Sequence, residues 1–154
     1  MIINLKYLFF SIIFSNLFGL VGNLLGNAAM GFDTIIKPSF NPPAILFPIV
    51  WFILYTLMGV SSYIIYTSKS DKKDTALKVY IIQLIINALW PLFFFNLKWY
   101  LFSFLWIIIM LVFVIIMSIR FYKINKTAAY LQIPYIIWLI FAGVLNFNIF
   151  LLNK

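Results

Sequence analysis

The stretch WYLFSFLWIIIMLVFVIIMSI, Trp99–Ile119, decides the fold: it holds no charged residue from one end to the other, and Ser103 and Ser118 are its small polar interruptions. A helix needs about 20 mostly apolar residues to cross about 30 Å of hydrocarbon. A barrel strand needs roughly ten, with every second residue polar, and this run shows no such alternation. In lipid the backbone must satisfy its own hydrogen bonds, which a helix does within the segment. The run therefore predicts a transmembrane helix.

Four more runs of the same kind flank it. Ala129–Leu152 follows, while Val79–Phe95, Ala44–Thr67 and Tyr7–Gly26 precede. The fold class expected is an all-α integral membrane protein, a five-transmembrane-helix bundle forming one domain over residues 1–154. Composition points the same way, with 66% hydrophobic and 9% charged residues. Soluble domains carry about 25% charged residues, and a soluble chain this short could not bury so many Phe, Ile and Leu side chains.

The chain has neither Cys nor His, and its acids are Asp33, Asp71 and Asp74. Thiol nucleophiles, Cys- or His-ligated metals and the usual proton shuttle are thereby excluded. No cofactor and no metal site are expected. The net charge of +8 raises the question of nucleic acid, but the basic residues sit in short gaps between apolar runs, where they set membrane orientation. Lys6, Lys69, Lys72, Lys73, Lys78, Arg120, Lys123 and Lys126 fall on one side, and Lys37, Lys98 and Lys154 on the other. The N-terminus is expected inside and the C-terminus outside. Ile-, Asn- and Lys-rich usage and compactness suggest a bacterial cytoplasmic membrane.

Local signals refine the picture. The first run is too long for a signal-peptide core of about 7–15 residues, although Gly26-Asn27-Ala28-Ala29 offers small residues after it. In the first connection Asn41 is placed to cap the second helix, with Pro42 at its first position. The tight turn Asn96–Lys98 makes helices three and four antiparallel neighbours. Pro91 and Pro134 interrupt helices three and five. Gly22-Asn23-Leu24-Leu25-Gly26 matches the small-xxx-small pattern of helix pairing and hints at a homodimer.

Polar and aromatic residues inside the spans carry the functional signal. Asn87 and Asn146 are expensive in lipid, and serve either as ties between helices or as contacts to a ligand. Trp99 sits where an interfacial belt belongs, but Trp51, Trp90 and Trp138 lie deeper. At helical spacing Trp51 aligns with Tyr55 and Met58, Asn87 with Trp90, and Trp138 with Ala142 and Leu145, with Asn146 a little further round. Rings and amides converging from three helices make a pocket for a flat, largely apolar ligand with a few polar handles.

Three segments together resemble the translocator protein family, also called tryptophan-rich sensory proteins or peripheral benzodiazepine receptors. They are Lys37-Pro38-Ser39-Phe40-Asn41-Pro42-Pro43 with Pro48–Gly59, then Asn87-Ala88-Leu89-Trp90-Pro91-Leu92-Phe93-Phe94-Phe95, then Pro134–Asn146. The resemblance implies a five-helix bundle, often dimeric, whose ligand cavity is closed by the loop between helices one and two. It implies porphyrin ligands such as protoporphyrin IX and haem, benzodiazepine-like and isoquinoline compounds, and in animals cholesterol. Matching positions put Trp51, Asn87, Trp90, Phe93, Trp138, Ala142 and Asn146 in or beside that cavity. Phe32-Asp33 stands where many relatives carry Trp-Tyr, which counts against an aromatic from that loop stacking over the ligand. Phe147 and Leu151 depart from the sterol-associated pattern of helix five, so cholesterol is not expected.

The leading expectation is a receptor-like protein that binds porphyrin or a similar flat apolar molecule. Trp51 and Trp138 would stack or donate electrons, Asn87 and Asn146 would supply polar contacts, and Phe93 and Ala142 apolar walls. The rival is a light-dependent protoporphyrin-degrading enzyme. A tetrapyrrole or lipid transporter ranks last, because the spans carry no proton-relay charges and no inverted repeat is visible.

Overall fold

The computed structural model describes residues 3–27 and 32–154, so Ala28 and Ala29 of the small-residue stretch lie outside the described residues. Every regular element among the described residues is helical. The order is α1 (Leu5–Gly26), α2 (Leu46–Tyr66), α3 (Lys73–Pro91, continued by a π-helical turn over Leu92–Asn96), α4 (Tyr100–Tyr122), the short α5 (Lys126–Tyr130) and α6 (Ile133–Leu152). Counting α3 with its π turn and α5 with α6, five helical segments are long and apolar enough to cross a membrane. This is a multi-pass membrane protein.

The ends of the helices differ from the apolar runs in instructive ways. α3 begins at Lys73, six residues before Val79, because a helix that leaves lipid needs no apolar residues to continue and Asp74 in its first turn suits the positive end of the dipole. α2 starts at Leu46, not beside Pro42, and has no side-chain cap. Each proline keeps the residue before it out of the helical region, so Asn41 and Pro42 are held extended. Asn41 spends its Nδ2 on the Pro42 carbonyl instead (2.8 Å). The fifth span is not one helix kinked at Pro134. It breaks at Leu131–Gln132, and Pro134 lies in the first turn of α6, where its missing N–H costs nothing.

Glycines set how closely α1 approaches its neighbours. A Cβ on Gly59 would meet Ile12 backbone at 2.6 Å, so α2 crosses α1 there in backbone contact. Gly22 lies against Ala88, and Gly26 against Pro91. The small-xxx-small pair is therefore used inside the protomer, holding α1 on α3, and gives no support to a dimer. α1 closes at Asn27, whose left-handed backbone (φ 49°) is one that Asn tolerates better than most residues. α4 packs between α3 and α6, and α5 bridges α4 and α2.

Candidate functional site

The half of the bundle next to the loop between α1 and α2 holds a cavity of about 560 Å³, within the range of about 300–1,000 Å³ usual for small-molecule sites. All five spans reach it. Trp51 and Tyr55 come from α2, Asn87 and Trp90 from α3, Ile107 and Met110 from α4, and Trp138, Ala142, Leu145 and Asn146 from α6. Eight of the nine residues expected at the site thus line one hollow. The ninth, Phe93, does not.

The π turn explains the exception. Pro91 cannot donate to the carbonyl one turn back, and the chain widens over Leu92–Asn96. A wide turn changes which face each residue occupies. Phe93 swings to α4, edge-on to Phe102 and Trp106 with both centroids at 4.9 Å. Phe94 and Phe95 take the cavity wall instead, with Phe94 stacked on Trp90 at 4.8 Å. Of the positions that the family resemblance implies, Phe93 is the one this turn carries away from the cavity wall.

The amides are mostly occupied. Tyr55 donates its hydroxyl hydrogen to Asn87 Oδ1 (2.9 Å), and Asn87 Nδ2 donates to the Tyr135 hydroxyl. Tyr135 passes its own hydrogen to Gln83 Oε1 (3.2 Å). Gln83 in turn points its amide at the Met58 sulfur (3.4 Å). A continuous buried network therefore ties α2, α3 and α6 under the cavity. Asn146 makes a second tie, accepting from Trp90 Nε1 (3.3 Å) and donating to the Tyr100 carbonyl (2.9 Å). An amide has four hydrogen-bonding valences, so each Asn keeps some capacity for a ligand, but its first role is to join helices. The indole Nε1 of Trp138 is buried without a hydrogen-bond partner among the described residues.

Rings line the rest. Trp51 lies 5.7 Å from Tyr55 and 6.2 Å from Tyr135, and Trp138 packs on Phe47 (6.0 Å) and Phe141 (5.4 Å). The loop before α2 contributes an aromatic after all. Phe32 lines the cavity, edge-on to Phe47 at 5.5 Å and tilted against Phe95 at 6.3 Å, with Lys37 Nζ 4.4 Å over its face. Ile35 is buried with Phe94, Leu145 and Ile149. Asn153, just past α6, clasps the Ile36 backbone by accepting from its N–H (3.0 Å) and donating to its carbonyl (2.8 Å). These contacts fasten the loop as a lid. Sequence reasoning did not find Phe32, Phe47 or Asn153 as site residues. Phe32 stands where the chain departs from the family pattern, and Asn153 carries no signal beyond being polar near a helix end.

Known proteins match this chain along nearly its whole length. The model of the TspO/MBR family matches residues 11–152. The chain is 34% identical over 128 residues to "Tryptophan-rich protein TspO" of Chlorobaculum tepidum, covering 82% of this chain and 81% of that protein. It is 33% identical over 152 residues to the protein of the same name from Archaeoglobus fulgidus, covering 90% and 99%. Against "Translocator protein" of Homo sapiens it is 30% identical over 114 residues, covering 72% and 68%. With the family's pattern running through the helices that build the cavity, this chain belongs to the TspO/MBR family.

Proposed function

We propose that the protein is a receptor-like membrane protein that binds protoporphyrin IX, haem or a similar flat apolar molecule within the bundle. The observation that supports this most directly is the aromatic cavity itself, its volume in the small-molecule range and its walls set by Trp51, Trp90, Trp138 and Phe32. Rings of this kind stack on a planar ligand and contribute about 0.5–1.5 kcal/mol per well-placed pair beyond their buried area. In this reading Trp51 and Trp138 stack on the ligand, Ala142 and Leu145 supply apolar surface, and Asn87 and Asn146 offer their remaining polar valences. Eight of the eleven basic residues occupy the end of the bundle away from the lid, which supports an inside N-terminus and a lid facing outward.

The test is titration of protoporphyrin IX into detergent-purified protein. Saturable quenching of Trp fluorescence is expected, with affinity reduced at least about fivefold (about 1 kcal/mol) in Trp138→Phe. Unchanged affinity and quenching in that variant refutes the pocket assignment. A second reading, a light-dependent protoporphyrin-degrading enzyme, is favoured by the cavity indoles of Trp51 and Trp138, since an indole beside a photoexcited macrocycle can exchange an electron with it. Equal loss of porphyrin absorbance under illumination with and without Trp51 and Trp138 rejects it.

A further inference from the structure

The contacts of α1 change partner halfway along the helix. Towards its start it runs along α2: Ile12 and Ser11 lie on Gly59, Asn16 Nδ2 donates to Thr56 Oγ1 (3.4 Å), and Gly19 fits against the Tyr55 ring. Beyond that level its close approaches run to α3 instead. Gly22 meets Ala88, Gly26 meets Pro91, and Asn96 reaches the Leu25 carbonyl (3.4 Å). In the lid-side half the close glycine approaches of α1 are thus to α3. α1 also carries Leu20 and Asn23, and α2 carries Pro48 and Phe52. All four line the cavity, and all four are exposed, Leu20 at 54% and Phe52 at 64%. The lid, by contrast, is tied down by Asn153 and by buried Ile35.

We infer that the cavity is loaded sideways from the lid-side leaflet, through a portal between α1 and α2 rimmed by Leu20, Asn23, Pro48 and Phe52. The inference rests on the binding role proposed above and adds its route. A bilayer-dissolved apolar molecule passes from acyl chains to cavity across an apolar rim and is never exposed to water. Such a path suits a ligand whose transfer into water is costly. Asn23, an exposed amide at the rim, offers a hydrogen bond to the polar edge of the entering molecule. The lid then serves as a roof, and access does not depend on its opening.

The absence of cysteine permits a direct test in the full chain reconstituted in phosphatidylcholine vesicles, with protoporphyrin IX as probe and Trp quenching as readout. Phe52→Cys carrying a bulky methanethiosulfonate adduct is expected to slow association and dissociation together, each by about tenfold or more, leaving Kd within about threefold. Reductive removal of the adduct restores both rates, which separates blocking from misfolding. The same adduct on Leu20→Cys repeats the effect from the facing rim. On Ile53→Cys, exposed but absent from the cavity wall, it changes nothing. Crosslinking Ile36→Cys to Asn153→Cys, which ties the lid covalently, also leaves both rates unchanged. Unaltered rates in both rim adducts, or slowing by the lid crosslink, overturns the portal. If the unlabelled chain shows no quenching at all, the binding reading fails and the route falls with it.

Discussion

Replacing Asn87 by Leu distinguishes a helix tie from a ligand contact. The amide accepts one hydrogen bond from Tyr55 and donates one to Tyr135, and it is 4% exposed. Side-chain hydrogen bonds between membrane helices average about 0.6 kcal/mol and reach about 1.7. Two such bonds give a loss of about 1–3 kcal/mol. The lower half applies here, since Tyr135 keeps its bond to Gln83 and Tyr55 borders the cavity, where another partner can reach its hydroxyl. At roughly 2–4 °C per kcal/mol for a chain of this size, the melting temperature in detergent should fall by roughly 2–8 °C. A double-mutant cycle with Tyr135→Phe should return a coupling of about 0.5–1.5 kcal/mol, because both substitutions break one bond. Protoporphyrin affinity should change less than about threefold, as the amide's main valences already serve the protein. A variant as stable as the parent that binds the porphyrin tenfold more weakly refutes the reasoning and makes Asn87 a ligand contact first.

Other substitutions probe other parts of the argument. Gly26→Leu places a side chain where a Cβ alone would lie 2.5 Å from the Pro91 Cβ; it should cost about 1–3 kcal/mol by overpacking in an unfolding titration, with no change in oligomer size on a sizing column. Asn153→Ala removes both bonds to Ile36; hydrogen exchange at the lid should rise about tenfold, matching about 1.4 kcal/mol of lost local stability. Phe93→Ala should leave porphyrin affinity within about twofold, while Phe94→Ala, which removes the ring stacked on Trp90, should weaken it by about fivefold or more.

The fold was legible because its signal is gross. Runs such as Trp99–Ile119 are long enough to span and too apolar to do anything else. The cavity was legible in part, because Trp51, Trp138 and the two Asn residues are costly at membrane depth unless they face inward. Its finer geometry was hidden where regular spacing fails. The π turn after Pro91 exchanges Phe93 for Phe94 and Phe95, and nothing in a sequence of three consecutive phenylalanines says which will turn inward. Gly22 and Gly26 showed that α1 packs closely on something, but the pattern is the same whether the partner is a neighbouring protomer or α3. Only the placement of Ala88 and Pro91 against them decides.

That same placement accounts for the hollow. A bundle of five helices normally fills its centre with interdigitating side chains, yet here the lid-side half stays open. Gly22 and Gly26 let α1 sink onto α3. Pro91 and the π turn push Phe94 and Phe95 inward on one side. On the other, α2 and α6 face each other through rings, Phe47 on Trp138 and Trp51 on Tyr135, and not through close backbone contact. Large flat side chains hold the walls apart, while the amides of Asn87 and Asn146 hold them in register. The hollow in this bundle is thus built by the same residues that would be conservative packing choices elsewhere, and its shape is set by the spacing between rings before any hydrogen bond.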